Sequence, residues 1–429
     1  MGRPPRFGEV GRVTEIESTK NAPLAPAPAP ASAMVTERGS PTARLVGVDL
    51  ARALAVFGMF AVHVGPAPAP DEGGVGNWLL ELSSGRASAL FATLAGFSIM
   101  LIAGRLEPKT GLAGCQARAR IVIRAAVLLV VGTALAMTNF GGAEILSFYA
   151  VYFLLALPLV RLRATTLATI AVTLALVTPQ LAFGLKSLLD QSTVNTIDSY
   201  DPLARLSDVG LVDILLTGLY PAITWMTFVV TGMALGRLDL ASGAVRRRLA
   251  LLGPALIALG YGVSWLVLRR FDVHLRTMTG PPPVKDPGAA GGFFDAPVGD
   301  ALGESDAWGL LRAEPHTGST FDLIGSLGIA ITVILCATVA LARLPWLRRL
   351  AAPVIAVGTM SLTLYVGHIL VILALPGEAA TPPDSNSAWL LACFIAGATL
   401  FAAIWSRFFR RGPLEYLLNA TTRLASSVR

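Results

Sequence analysis

Charge is the first thing this sequence lacks. Only 14% of its 429 residues are Asp, Glu, Lys or Arg, while 54% are hydrophobic. A soluble domain carries about a quarter charged residues, so a water-solvated surface around one apolar core is excluded. Strand-like alternation of polar and apolar residues is missing, which excludes a membrane β-barrel. The three cysteines, Cys115, Cys336 and Cys393, stand at no metal-binding spacing and imply neither a disulfide framework nor zinc. Neither a repeat of 20–50 residues nor an inverted repeat of the transporter kind is visible. The first residues lack the short apolar core and cleavage site of a signal peptide, so they are expected to persist.

What the chain has is long apolar blocks, at a mean hydropathy of +0.65. Each approaches the ~20 residues a helix needs to cross about 30 Å of hydrocarbon. The blocks fall at 45–65, 86–104, 119–137, 144–161, 164–185, 211–236, 249–268, 321–342, 353–375 and 388–408. This predicts an all-α polytopic bundle of about ten spans over 45–411, the sixth broken near Pro221. A Pro-Ala-rich disordered tail is expected over 1–44 and a second tail over 412–429. Residues 186–210 and 269–320 read as long non-helical stretches.

Orientation follows from where the cations lie. The N-terminal segment and every second connection are basic: Arg105, Lys109 and Arg118; Arg161 and Arg163; Arg237 with Arg246–Arg248; Arg343, Arg348 and Arg349; Arg407, Arg410 and Arg411. The alternate connections 66–85, 138–143 and 376–387 hold no Lys, and no Arg. The positive-inside bias therefore predicts both termini in the cytoplasm and an even number of spans in a bacterial inner (plasma) membrane. The formal net charge of +7 belongs to this bias and to lipid headgroups, and gives no reason to propose nucleic acid.

Function has to come from polar residues that are costly to place in lipid. On the first span Asp49, Arg52 and His63 fall within about 40° of one another around the helix axis, along roughly 21 Å. They form either a polar stripe lining a passage or a self-neutralising Asp49–Arg52 pair with a capping histidine. On the ninth span Ser361, Tyr365 and His368 share a stripe at i, i+4, i+7, which helix packing would equally explain. His316 precedes a helix start that Ser319 or Thr320 could cap. The helix dipole there favours the neutral imidazole a general base requires. Arg86 stands against the charge bias, so either an anionic or carbonyl partner holds it or it snorkels. His274 lies among Arg269, Arg270 and Arg276 and reads as surface.

The block Arg44-Leu45-Val46-Gly47-Val48-Asp49-Leu50-Ala51-Arg52-Ala53-Leu54-Ala55, continuing to His63, resembles the first-helix block of heparan-α-glucosaminide N-acetyltransferase and its bacterial relatives. Similar blocks follow in order: Gly85 to Ser98, Glu144 to Arg163, Tyr220 to Leu240, His316 to Gly328, Val357 to His368 and Gly412 to Tyr416. The resemblance implies a membrane-embedded acyltransferase moving an acyl group, typically acetyl, from cytoplasmic acyl-CoA to a sugar, amine or hydroxyl acceptor on the opposite side. Acetyl-CoA is then a donor substrate, with no permanently bound cofactor and no metal. The family's Asp and Arg fall on Asp49 and Arg52. Its catalytic histidine lies in the first outer loop, where residues 66–85 hold none, so either His63 or His316 has taken over that work or the activity has been lost. Arg86, Tyr365 and His368 join Asp49 and Arg52 as candidates for binding donor or acceptor. A transporter or lipid flippase, and a non-catalytic scaffold, stay open, as does a homodimer.

Overall fold

Among the described residues every regular element is helical. The computed structural model describes residues 2, 41–66, 75–138, 144–207, 209–270, 307–375 and 387–427. The first half holds α1 (Pro41–Val64), α2 (Val75–Ser83), α3 (Arg86–Ala103), α4 (Gly111–Ala136), α5 (Leu146–Ala156), α6 (Ala164–Leu188), α7 (Gln191–Tyr200) and α8 (Pro202–Ser207). Then come α9 (Ala222–Gly236), α10 (Gly243–Ile257), α11 (Val263–Arg270), α12 (Thr320–Arg343), α13 (Pro345–Leu350), α14 (Ala352–Thr359), α15 (Ser361–Ala374), α16 (Ser387–Phe408) and α17 (Pro413–Thr422).

Among the described residues, seven helices are long and apolar enough to cross a membrane: Val46–Val64, Trp78–Ala103, Gly111–Ala136, Ala164–Leu188, Gly243–Arg270, Thr320–Arg343 and Ala388–Phe408. The pair α14–α15 adds an eighth crossing if counted as one span. Leu146–Arg161 and Ala222–Gly236 are shorter apolar helices. The chain is thus a multi-pass helical membrane protein, and the ten apolar blocks resolve into seven full-length helices, one bent pair and two short ones.

Several segments depart from the sequence reading. The block 353–375 is not one helix but bends by 85° between α14 and α15. The carboxylate of Glu415, on α17, accepts from the amides of Leu362 at 2.7 Å and Thr363 at 3.1 Å. It thereby satisfies donors that the break would otherwise orphan. Residues 186–210, expected to be non-helical, contain the end of α6 and all of α7 and α8. Asp190 starts α7 by accepting from the hydroxyls of Ser192 and Thr193, and Asp201 starts α8 by accepting from the Leu203 amide at 2.9 Å. Short polar helices of this kind have too few apolar residues to form a block, so hydropathy passes over them. Residues 41–44 of the expected tail belong to α1, and 413–427 are helical. The rest of the N-terminal tail, His274 and most of 269–320 lie outside the described residues. The break before α9 falls at Pro221, where a π-turn, Asp213–Thr217, precedes the helix.

Helix α3 packs most extensively on α9. A Cβ on Gly96 would come within 1.9 Å of the Val229 carbonyl oxygen, and one on Gly232 within 1.8 Å of the Thr93 carbonyl oxygen. The two backbones therefore touch, as small residues permit between membrane helices. At the end of α9 the buried Arg237 donates to the carbonyls of Arg105, Val160 and Leu162. Three chain turns are tied there by one guanidinium. This end of the bundle, where α17 also lies, is called the basic end below, and the opposite one the histidine end.

Candidate functional site

At the basic end, Lys109, Arg120, Arg124, Arg411 and Arg423 line a cleft of about 330 Å³ without an acidic neighbour in its walls. They reach it from the α3–α4 turn, from α4 and from the region around α17. Arg124 is held by Asn419 Oδ1 at 3.3 Å, and its Nε is buried without a partner. A second cleft, of about 440 Å³, shares Leu101, Ile102, Arg124, Arg411 and Asn419 with the first and continues into the bundle. Its walls carry Arg52, Phe91, Ser98, Tyr149 and Glu415. A cationic mouth therefore leads to a mixed polar and aromatic interior.

Arg52 is oriented by two partners. It donates to Asp49 Oδ1 at 2.7 Å and to the Ser98 hydroxyl at 2.7 Å. Asp49 holds Arg52 in place but does not line the cleft. His63 does not line it either. The shared face of α1 is not one continuous passage, because the positions between Arg52 and His63 on that face are Val56, Met59 and Phe60, all buried. Their packing interrupts the polar stripe. Beyond Arg52, the cleft takes its walls from Phe91 on α3, Tyr149 on α5 and the bend between α14 and α15.

At the histidine end the structure brings His63 and His368 together. His63 Nδ1 and His368 Nε2 are 2.7 Å apart with the rings nearly parallel. One nitrogen must donate and the other accept, so the pair holds a single proton between its two rings. Tyr365 packs against His368 with ring centroids 5.3 Å apart, and its hydroxyl accepts from the Ile145 amide at 3.1 Å.

His316 stands elsewhere at the same end, with Arg86. Its backbone has φ +64°, the left-handed region that a residue with a side chain seldom adopts. The ring lies 5.5 Å from Tyr220 and 6.1 Å from Trp225, centroid to centroid. It is hydrogen-bonded to the backbone of Leu219, while Nδ1 is buried without a partner among the described residues. Burial pushes its pKa down to about 4, and the nearby positive charge of Arg86 adds to the shift. His316 is thus a neutral imidazole with one unused lone pair. Ser319 is the residue that caps α12, accepting from the Asp322 amide at 3.0 Å. Arg86 donates to Tyr261 at 3.1 Å and to the carbonyls of Glu81 and Ser84, and its guanidinium also lies over the Tyr261 ring.

Aromatic rings connect the two histidine sites. The contacts run from His316 to Tyr220, from Tyr152 to Tyr149, then through Phe91 to Tyr365 and His368. The hydroxyl of Tyr152 joins the two halves by donating to the Tyr220 carbonyl. Glu144 fixes the start of α5, accepting from the amides of Leu146 at 2.8 Å and Ser147 at 3.1 Å. Sequence reasoning missed this ribbon, the clamp by Glu415 and the inward-facing Arg124. A cation inside the third apolar block was the signal for Arg124. The tyrosines of α5 were hidden in a uniformly apolar helix, where they look like core.

Comparison with known families divides the chain in two. The family profile described as heparan-alpha-glucosaminide N-acetyltransferase, catalytic, matches residues 44–260, just over half of the chain. A profile described as a protein of unknown function (DUF418) matches residues 302–425. No curated protein matches the chain. The deep cleft takes walls from both matched segments: Arg52, Phe91 and Tyr149 from the first, Glu415 and Asn419 from the second.

Proposed function

Since this chain belongs to the heparan-alpha-glucosaminide N-acetyltransferase catalytic family, we propose that it is a membrane acyltransferase that takes acyl-CoA at the basic end and delivers the acyl group to an acceptor at the histidine end. All ten apolar helices cross the membrane in this reading. Both termini are cytoplasmic, the basic end faces the cytoplasm of a bacterial cell, and the membrane is the inner one.

One observation carries the proposal: the cleft of five cations shares Leu101, Ile102, Arg124, Arg411 and Asn419 with a second cleft walled by Arg52, Phe91 and Tyr149. Lys109, Arg120, Arg124, Arg411 and Arg423 suit the phosphates of coenzyme A, arginine because its planar fork matches phosphate oxygens. The pantetheine arm would pass Arg52 and Ser98, and the thioester would reach Phe91 and Tyr149. An amine or hydroxyl acceptor, such as a sugar amine, would lose its proton to His316 or to the His63–His368 pair while attacking the thioester carbon. The rival reading, transport, gains nothing from α1, whose polar stripe is interrupted at Val56 and Phe60.

The test is direct. Purified protein is incubated with radiolabelled acetyl-CoA and a panel of amino sugars, amines and polyols. Labelled product with release of one free thiol per transfer supports the reading. Absence of both across the panel overturns it. Within that assay, Arg411→Ala should raise KM for acetyl-CoA about tenfold, the loss of one charge-assisted contact. Turnover should stay close to that of the parent protein, because uniform binding is what the substitution removes. A lower kcat at unchanged KM would count against Arg411 as a phosphate ligand.

A further inference from the structure

One tyrosine in the wall of the second cleft carries a buried hydroxyl that the fold leaves unused. Tyr149 is 3% exposed, lines the cleft, and its hydroxyl is buried with no hydrogen-bond partner among the described residues. The two neighbouring tyrosines have partners, and Glu144 keeps only Oε1 without one. Tyr152 donates to the Tyr220 carbonyl, the Tyr365 hydroxyl accepts from Ile145, and one oxygen of Glu144 is taken by the amides of Leu146 and Ser147. Burying a hydroxyl without a partner opposes folding, and phenylalanine would fill the same space without that cost. The ring is also fixed. Phe91 stacks on it with centroids 5.6 Å apart and Tyr152 tilts against it at 5.5 Å.

We propose that the Tyr149 hydroxyl is the donor that receives the carbonyl oxygen of the acyl thioester, an assignment that rests on the acyl-transfer function above. Attack by the acceptor nitrogen or oxygen on the carbonyl carbon moves the π electrons onto that oxygen. The developing oxyanion accepts a hydrogen bond from Tyr149, which keeps its proton. Collapse re-forms the carbonyl, breaks the carbon–sulfur bond and expels coenzyme A thiolate. The thiolate takes up the proton that the histidine base removed from the acceptor. Because the donor is already positioned and desolvated, it needs no reorganisation when the charge appears.

Tyr149→Phe separates this role from a structural one. Removal of an oxyanion donor costs on the order of 100-fold or more in kcat, so a loss of about that size is expected with KM for acetyl-CoA nearly unchanged. Thermal stability in detergent should be equal or higher, since the lost hydroxyl bonds nothing in the fold. Infrared difference spectra with [1-¹³C]acetyl-CoA give a second reading: the thioester carbonyl stretch should lie at lower frequency in the parent protein than in the Phe variant. Parent-level kcat in Tyr149→Phe, or identical stretches, would overturn the assignment while leaving acyl transfer intact. A parent protein that transfers nothing overturns the acyl-transfer reading and this one with it.

Discussion

His316→Asn is expected to fold like the parent protein and to lose acyl transfer by about two to four orders of magnitude, the usual contribution of a positioned general base. Asparagine is the informative replacement. It tolerates the left-handed backbone that His316 adopts at φ +64°, although its shorter amide gives up the bond to the Leu219 backbone. What it lacks is a basic nitrogen, and in the parent that nitrogen is the buried, unpartnered Nδ1. The pH dependence follows from the same environment. With a pKa near 4 in the folded protein, the ring is neutral from neutral pH down to well below 6. The limb of kcat/KM that reports this base should therefore be flat there and fall only as pH drops through about 4. Stability has a wider window. In the unfolded chain the ring titrates near 6.5, so between there and about 4 the unfolded state binds a proton that the folded state refuses. Stability contributed by this group is complete above about 6.5 and declines as pH falls toward 4. The Asn variant should lose that part of the pH dependence. If His316→Asn retains more than a tenth of the parent rate, the base lies elsewhere, and the His63–His368 pair becomes the assignment to test.

The sequence and the structure agree where long-range physics dominates and part where local geometry decides. The helical class was legible because apolar blocks of spanning length leave few other solutions in a membrane. A cap at Ser319 or Thr320, the break near Pro221 and, as one of two readings, the pairing of Asp49 with Arg52 were legible because each depends on neighbours within a few residues. The meeting of His63 with His368 was not, since 305 positions separate them and no periodicity encodes which helices adjoin. The interruption of the α1 stripe was overlooked for a different reason. A helical wheel shows that Asp49, Arg52 and His63 share a face, but Val56, Met59 and Phe60 occupy that face too. The bend before α15 depends on Glu415, a residue more than fifty positions away that supplies the acceptor for its first amides.

Gly232→Val should abolish the folded state, and with it every activity, even though Gly232 lines none of the clefts described above. Helix α3 carries Arg86, Phe91 and Ser98 on one scaffold, and its position is set by contact with α9. At the crossing, Gly232 faces the Thr93 carbonyl and Gly96 faces the Val229 carbonyl, each so close that a methyl group would overlap a backbone oxygen. A flexible side chain could swing aside, but a carbonyl within a buried helix cannot move without breaking its own ladder bond. Separating the helices enough for an isopropyl group would open the packing of Trp225, Phe228 and Phe97, all buried around the crossing. The cost should be at least about 4 kcal/mol, at the exceptional end for a point substitution and a large fraction of the ~5–15 kcal/mol that holds a native fold together. Gly367→Val is the matched control. It sits in α15, where an added Cβ meets nothing within 4 Å, so it changes helix propensity without forcing backbones apart. Size-exclusion profiles in detergent and thermal midpoints read both. Gly367→Val should elute as a single species near the parent midpoint, while Gly232→Val should aggregate or fail to accumulate. A monodisperse Gly232→Val protein with the parent midpoint would mean that α3 and α9 do not cross at these glycines, and the cleft that α3 helps to wall would have to be redrawn.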